Sequence, residues 1–73
     1  MRITLNGEPR EVGDGHSVAS LLADLGIPAE RVAVELNLAV VDRQTFPGTP
    51  LRDGDSVEVI GFIGGGEDIQ HER

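Results

Sequence analysis

Cysteine is absent from this 73-residue sequence, which excludes disulfides and thiolate metal sites without assigning a compartment. Lysine is absent too: all six basic residues are arginine, a bias that a G+C-rich genome produces. No apolar run approaches the roughly 20 residues that a membrane helix needs. The opening Met1-Arg2-Ile3-Thr4-Leu5-Asn6-Gly7 lacks the basic start and long apolar stretch of a signal peptide. The expectation is a soluble cytoplasmic protein with no membrane partner. The length suits one domain, whose hydrophobic core is thin and whose stability is modest.

Basic charge is scarce. Thirteen acidic residues oppose six arginines, a net charge of −7. Phosphate recognition needs clusters of Lys and Arg, so a nucleic-acid partner is not expected. The acidity favours solubility, and it also suits steering toward a basic protein.

Along the chain, Ile3 and Leu5 alternate with polar neighbours, and Asn6-Gly7 is a hairpin signal. A second strand is predicted over Glu8 to Val12, broken by Gly13-Asp14-Gly15. Ser17 suits a helix N-cap, because its hydroxyl can accept from an orphaned backbone N–H. Val18, Leu21, Leu22 and Leu25 then form one apolar stripe at i, i+3, i+4 and i+7. Gly26 suits a left-handed C-terminal cap, and Pro28 blocks resumption of the helix. So short a helix needs packing on a sheet to hold it.

Val32, Val34 and Leu36 alternate with Ala33 and Glu35, predicting a strand. Asn37 turns the chain, and Leu38 to Val41 return. Asp42 to Phe46 form a short helical turn anchored by Phe46. Asp53-Gly54-Asp55 turns into a last strand over Ser56 to Ile63. This order predicts an α+β domain of the β-grasp (ubiquitin-like) type: a mixed four- to five-stranded sheet with one main helix on one face. The first and last strands lie side by side at its centre. Residues 1–63 form the domain, and 64–73 a flexible glycine-rich C-terminal tail.

In the last strand Val57, Val59, Gly61 and Ile63 share one face, while Glu58, Ile60 and Phe62 share the other. A sheet covered by one helix buries one face. Val57 and Val59 suit the core. Ile60 and Phe62 then stand on the open face, where clustered apolar groups suggest a partner surface. Gly64-Gly65-Gly66 cannot sit comfortably in a strand. It serves either as a linker or as a slender arm for a narrow channel. It is no dinucleotide fingerprint, because no helix or βαβ unit can follow.

Asp53-Gly54-Asp55, Val57-Glu58-Val59-Ile60 and Phe62-Ile63-Gly64-Gly65-Gly66 together resemble the C-terminus of the thiamine-pathway sulfur carriers, the ThiS family. Ile3-x-Leu5-Asn6-Gly7, Ser17-Val18-x-x-Leu21-Leu22 and Val32-Ala33-Val34-Glu35-Leu36-Asn37 extend the resemblance over Met1 to Gly66. It implies a carrier, not an enzyme, that binds no cofactor itself. An E1-like adenylating enzyme uses ATP and Mg²⁺ to activate the terminal glycine, and sulfur arrives through a cysteine desulfurase relay. Thiazole synthase consumes the thiocarboxylate. Gly66 would bear that group and Gly65 complete the diglycine, with Glu58, Ile60, Phe62, Ile63 and Gly64 meeting the partners. Family members commonly end at the diglycine, whereas Glu67 to Arg73 follow it here. The resemblance therefore implies that a peptidase removes residues 67–73. Freedom from lysine would also spare such an acyl group from the chain's own amines.

Two alternatives stand beside this one: a carrier serving molybdopterin or amino-acid biosynthesis, and a non-carrier β-grasp binding domain whose glycines are a linker. His16 and His71 have no partners at metal-ligand spacing and are expected to be solvated. Asp53 and Asp55 are expected to do turn chemistry. No nucleophile–base arrangement is present.

Overall fold

The computed structural model describes residues 1–61. Arg2–Leu5 (β1) and Glu8–Glu11 (β2) form an antiparallel hairpin, with Leu5 opposite Glu8 across the Asn6-Gly7 turn. Both turn residues have positive φ, 50° and 85°, the combination a two-residue type I′ turn requires. Val12 lies outside the strand, although its N–H still donates to the Met1 carbonyl at 2.9 Å.

The helix α1 spans Val18–Leu25 and begins as its sequence dictates. Ser17 Oγ accepts the Ser20 N–H at 3.1 Å, and Ser20 Oγ accepts the Ser17 N–H at 2.8 Å. A serine thus fills the place that Glu or Gln takes in the usual reciprocal cap. Gly26 ends the helix at φ 71°, and the Ile27 N–H donates to the Leu22 carbonyl at 3.0 Å. Val18, Leu21 and Leu22 are buried, and Leu25 is half-buried at the end of the same stripe.

A short 3-10 turn at Ala29–Arg31 leads into β3, Val32–Leu36. The return strand β4 is Ala39–Val41. Leu38 belongs to the turn rather than the strand, with φ 74° beside φ 52° at Asn37. The helical turn predicted over Asp42 to Phe46 is a 3-10 turn over Arg43–Gly48, with Asp42 as its N-cap. Phe46 is buried as expected and packs into the core beneath the helix.

The last strand, β5, runs over Ser56–Gly61 in the described residues. The sheet order is β2-β1-β5-β3-β4, with β5 parallel to β1 and antiparallel to β3. First and last strands are therefore central neighbours, as the element order implies. The core joins Ile3, Val32, Val34, Val57 and Val59 from the sheet to Val18, Leu21 and Leu22 from the helix, together with Phe46 and Leu51 from the connection between β4 and β5. Each such side chain contributes roughly 1.5–3 kcal/mol on burial. Ten of the described residues make up this buried set, so each is a sizeable share of the domain's core.

Candidate functional site

Strand β5 ends at Gly61 in the described residues and leads to the glycine run, so the site is built outward from it. Val57 and Val59 are each 1% exposed and face the helix. Glu58 and Ile60 therefore take the open face, and both are half-buried there. Glu35 of β3 lies directly opposite Glu58, and Ala33 opposite Ile60. Strand β3 supports β5 as far as Gly61, which pairs with Val32.

On its other side β5 loses its neighbour early, because β1 ends at Leu5, opposite Val57. Asn6 extends the ladder by one step. Its N–H donates to the Val57 carbonyl at 2.9 Å, and its side-chain Oδ1 accepts the Val59 N–H at 2.8 Å. Asn37, in the other hairpin turn, accepts the Ser56 N–H on Oδ1 at 2.9 Å and donates its own N–H to the Ser56 carbonyl at 2.7 Å. Two turn asparagines thus fix β5 from opposite sides. Asn tolerates left-handed backbone and carries a short acceptor, which explains the residue type at both places.

The Asp53-Gly54-Asp55 segment is engaged in turn chemistry. Asp53 Oδ1 accepts the Arg2 N–H at 2.8 Å, and Asp55 Oδ2 accepts the Arg52 N–H at 2.8 Å. Asp55 Oδ1 also accepts from Asn37 Nδ2 at 3.0 Å. Gly54, at φ 89°, donates its N–H to the Arg2 carbonyl at 2.8 Å.

His16 is not a solvated loop residue. Its side chain is 22% exposed, and Nε2 lies 2.6 Å from Asp24 Oδ2. The pair spans two helical turns and ties the loop before α1 to the helix's last turn. No group of three or more His, Cys, Asp or Glu residues among the described residues is placed to hold a metal ion. No helix among them is long and apolar enough to cross a membrane.

Of the expected partner-facing residues, Glu58 and Ile60 share the open face. Phe62, Ile63, Gly64, Gly65, Gly66 and His71 lie outside the described residues. Three further residues belong to the same face or its rim. Glu35 adds a second carboxylate. Val40 continues the row, directly opposite Glu35 and 76% exposed. Leu38, 90% exposed, closes the hairpin beside it. Alternation within single strands does not mark Glu35 and Val40 as neighbours of this face; the pairing register does.

The ThiS family model matches residues 3–66, a span that ends on Gly66. The crystal structure of a thiamine biosynthesis protein (ThiS) from Geobacter metallireducens superposes with a TM-score of 0.79 at 43% identity, over 90% of this chain and all of that one. The sulfur carrier protein ThiS of Thermus thermophilus is 41% identical over 64 residues, covering 88% of this chain and 98% of the relative. A thiazole synthase of Magnetococcus marinus is 48% identical over 67 residues, covering 92% of this chain and 21% of the relative. A second thiazole synthase, from Paramagnetospirillum magneticum, is 40% identical over 68 residues, covering 93% of this chain and 21% of the relative. The chain thus spans about a fifth of the length of these two synthases. A central β5 leading to a triple glycine, a β-grasp sheet under one helix and a match over residues 3–66 agree: the chain belongs to the ThiS family of ubiquitin-like sulfur carriers.

Proposed function

We propose that this protein carries sulfur for thiamine thiazole synthesis as a thiocarboxylate on Gly66, formed after residues 67–73 have been removed. The observation that carries the reading is the family match ending at Gly66, at the end of the segment that leaves β5. A free carboxylate there is a poor electrophile. Attack of its oxygen on the α-phosphate of ATP releases pyrophosphate and leaves an acyl-adenylate with a good leaving group. Sulfur from the desulfurase's persulfide, brought to the sulfide level by a thiol reductant that is oxidised to a disulfide, then displaces AMP, giving a nucleophilic thiocarboxylate. The carrier supplies an arm and a folded body, and its partners supply positioning and electrostatics. Thiazole synthase is the proposed acceptor, supported by the two thiazole synthases that contain a segment similar to this chain.

In this sequence the Gly66 carboxyl is part of the amide bond to Glu67. Activation therefore requires hydrolysis of that bond, the role assigned to a peptidase. The test compares the full chain with one ending at Gly66, each incubated with the host's E1-like adenylating enzyme, ATP and Mg²⁺. Pyrophosphate release is expected from the shorter chain alone. With a desulfurase, cysteine and a thiol reductant added, intact mass should show sulfur in place of one oxygen. Equal inertness of both chains would sink the carrier reading. Activation of the full chain would remove the processing step.

A further inference from the structure

Strands β3 and β5 run past both of their outer neighbours at the end of the sheet where the chain leads into the glycine run. The β1–β5 pairing stops with Leu5 opposite Val57, and the β3–β4 pairing stops with Val34 opposite Val41. The β3–β5 pairing continues through Ala33 opposite Ile60 to Val32 opposite Gly61. A two-stranded projection of this kind is marginal in water by itself. Val32 and Val59 bury its inner side. Burial there does not pair the backbone groups along its two outer edges.

Each edge is held by one side chain, from the residue at which the neighbouring strand leaves. Asn6 follows Leu5, and its Oδ1 accepts the Val59 N–H at 2.8 Å. On the other edge, two steps past Val41, the β3–β4 register brings Arg43 opposite Val32. The Arg43 backbone has already entered the 3-10 turn Arg43–Gly48, and its side chain makes the contact instead. Nη2 donates to the Val32 carbonyl at 3.3 Å, and Nε donates to the Ala29 carbonyl at 3.0 Å. The guanidinium fork thus ties the start of β3 to the turn before it. Lysine carries the same charge on a single rotating ammonium and does not reproduce that planar fork.

Both side chains therefore act on the last strand pairs before the glycine run, and Gly61 stands five residues before Gly66. We propose that Asn6 and Arg43 are positioning residues for the activation of Gly66. They keep β5 paired to β3 as far as Gly61, so that only the residues beyond it are ordered when the activating enzyme takes up the arm. The assignment rests on the carrier reading. Both act through β5 rather than on the reacting group. Fraying of the projection adds Ile60 and Gly61 to the segment ordered on binding, and each residue so ordered weakens binding roughly tenfold. The effect belongs in KM for the carrier and not in kcat.

The test measures pyrophosphate release against carrier concentration with the host's adenylating enzyme, ATP and Mg²⁺. It uses chains ending at Gly66, which keep every described element, well below their melting temperatures. Asn6→Ala and Arg43→Gln should each raise KM about fivefold and leave kcat unchanged. Asn6→Asp, which keeps the acceptor, should return KM to within twofold of wild type. Arg43→Lys should not, because the charge stays and the fork is lost. Hydrogen exchange gives the location: in both impaired variants the Ile60 amide should lose protection beyond any change at Leu22 in the helix. Should Asn6→Ala fail to fold, the variants of the exposed Arg43 decide alone. Full recovery of KM in Arg43→Lys makes Arg43 a charge contact with the partner and overturns the brace. Equal losses of protection at Ile60 and Leu22 reduce the effect to global stability and overturn it too. With the wild type activated, a KM within twofold of it in both Asn6→Ala and Arg43→Gln overturns the proposal and leaves the carrier reading standing. A wild type ending at Gly66 that is not activated at all removes the carrier reading, and the proposal with it.

Discussion

The Asn6 side chain accepts the Val59 N–H at 2.8 Å, joining the first hairpin turn to the central strand 53 residues further along the chain. The contact lies where β1 has already turned away from β5.

Asn6→Ala removes that acceptor and places a residue without a polar side chain at φ 50°. The expected loss is about 1–2 kcal/mol, from an unsatisfied N–H together with left-handed strain. Asn6→Asp keeps an acceptor and should recover most of it. Urea denaturation gives the totals. Hydrogen exchange gives the location: in the Ala variant the Val59 amide should lose protection beyond the global change. A uniform change at all amides would assign the loss to the turn alone.

Local chemistry made the helix legible in advance. Ser17, the four-residue stripe and Gly26 act within a few residues of one another, and tertiary context had nothing to override. The β-grasp order was legible for a similar reason, since each turn signal sits at its own hairpin. What escaped was lateral. Glu35 and Glu58 are 23 residues apart in sequence and meet only through the β3–β5 register. Val40 joins their row only through the β3–β4 register. His16 and Asp24 are eight residues apart, and the first lies outside the helix, so no helical spacing rule pairs them. Leu38 looked like part of a return strand because leucine is an unusual choice for a type I′ turn.

The helix stripe divides into unequal parts. Leu21 is 1% exposed between helix and sheet, whereas Leu25 is half-buried near the C-terminal cap. Leu21→Ala leaves a cavity and should cost about 2–5 kcal/mol. Against a total of roughly 5 kcal/mol for a small domain, that change approaches complete unfolding at room temperature. Leu25→Ala should cost about half as much or less, because its site opens to water and leaves little cavity. Far-UV circular dichroism melts of the two variants provide the comparison. Equal losses would mean that the last helical turn packs as tightly as the middle.

Asp53 and Asp55 offer the clearest separation of structure from chemistry. A pair of carboxylates two residues apart invites an acid–base role, but their oxygens already accept from the Arg2 and Arg52 backbone N–H groups and from Asn37. Asp55 accepts from two donors and Asp53 from one in these contacts. Asp55→Ala should therefore destabilise more than Asp53→Ala, with losses of about 1–2 and about 1 kcal/mol. Both variants, in chains ending at Gly66 and assayed well below their melting temperatures, should release pyrophosphate at the unsubstituted rate once saturated with the adenylating enzyme. A drop in that saturated rate without loss of folded protein would give the carboxylates a chemical role. A loss confined to denaturation curves makes them the staples that set where β5 begins.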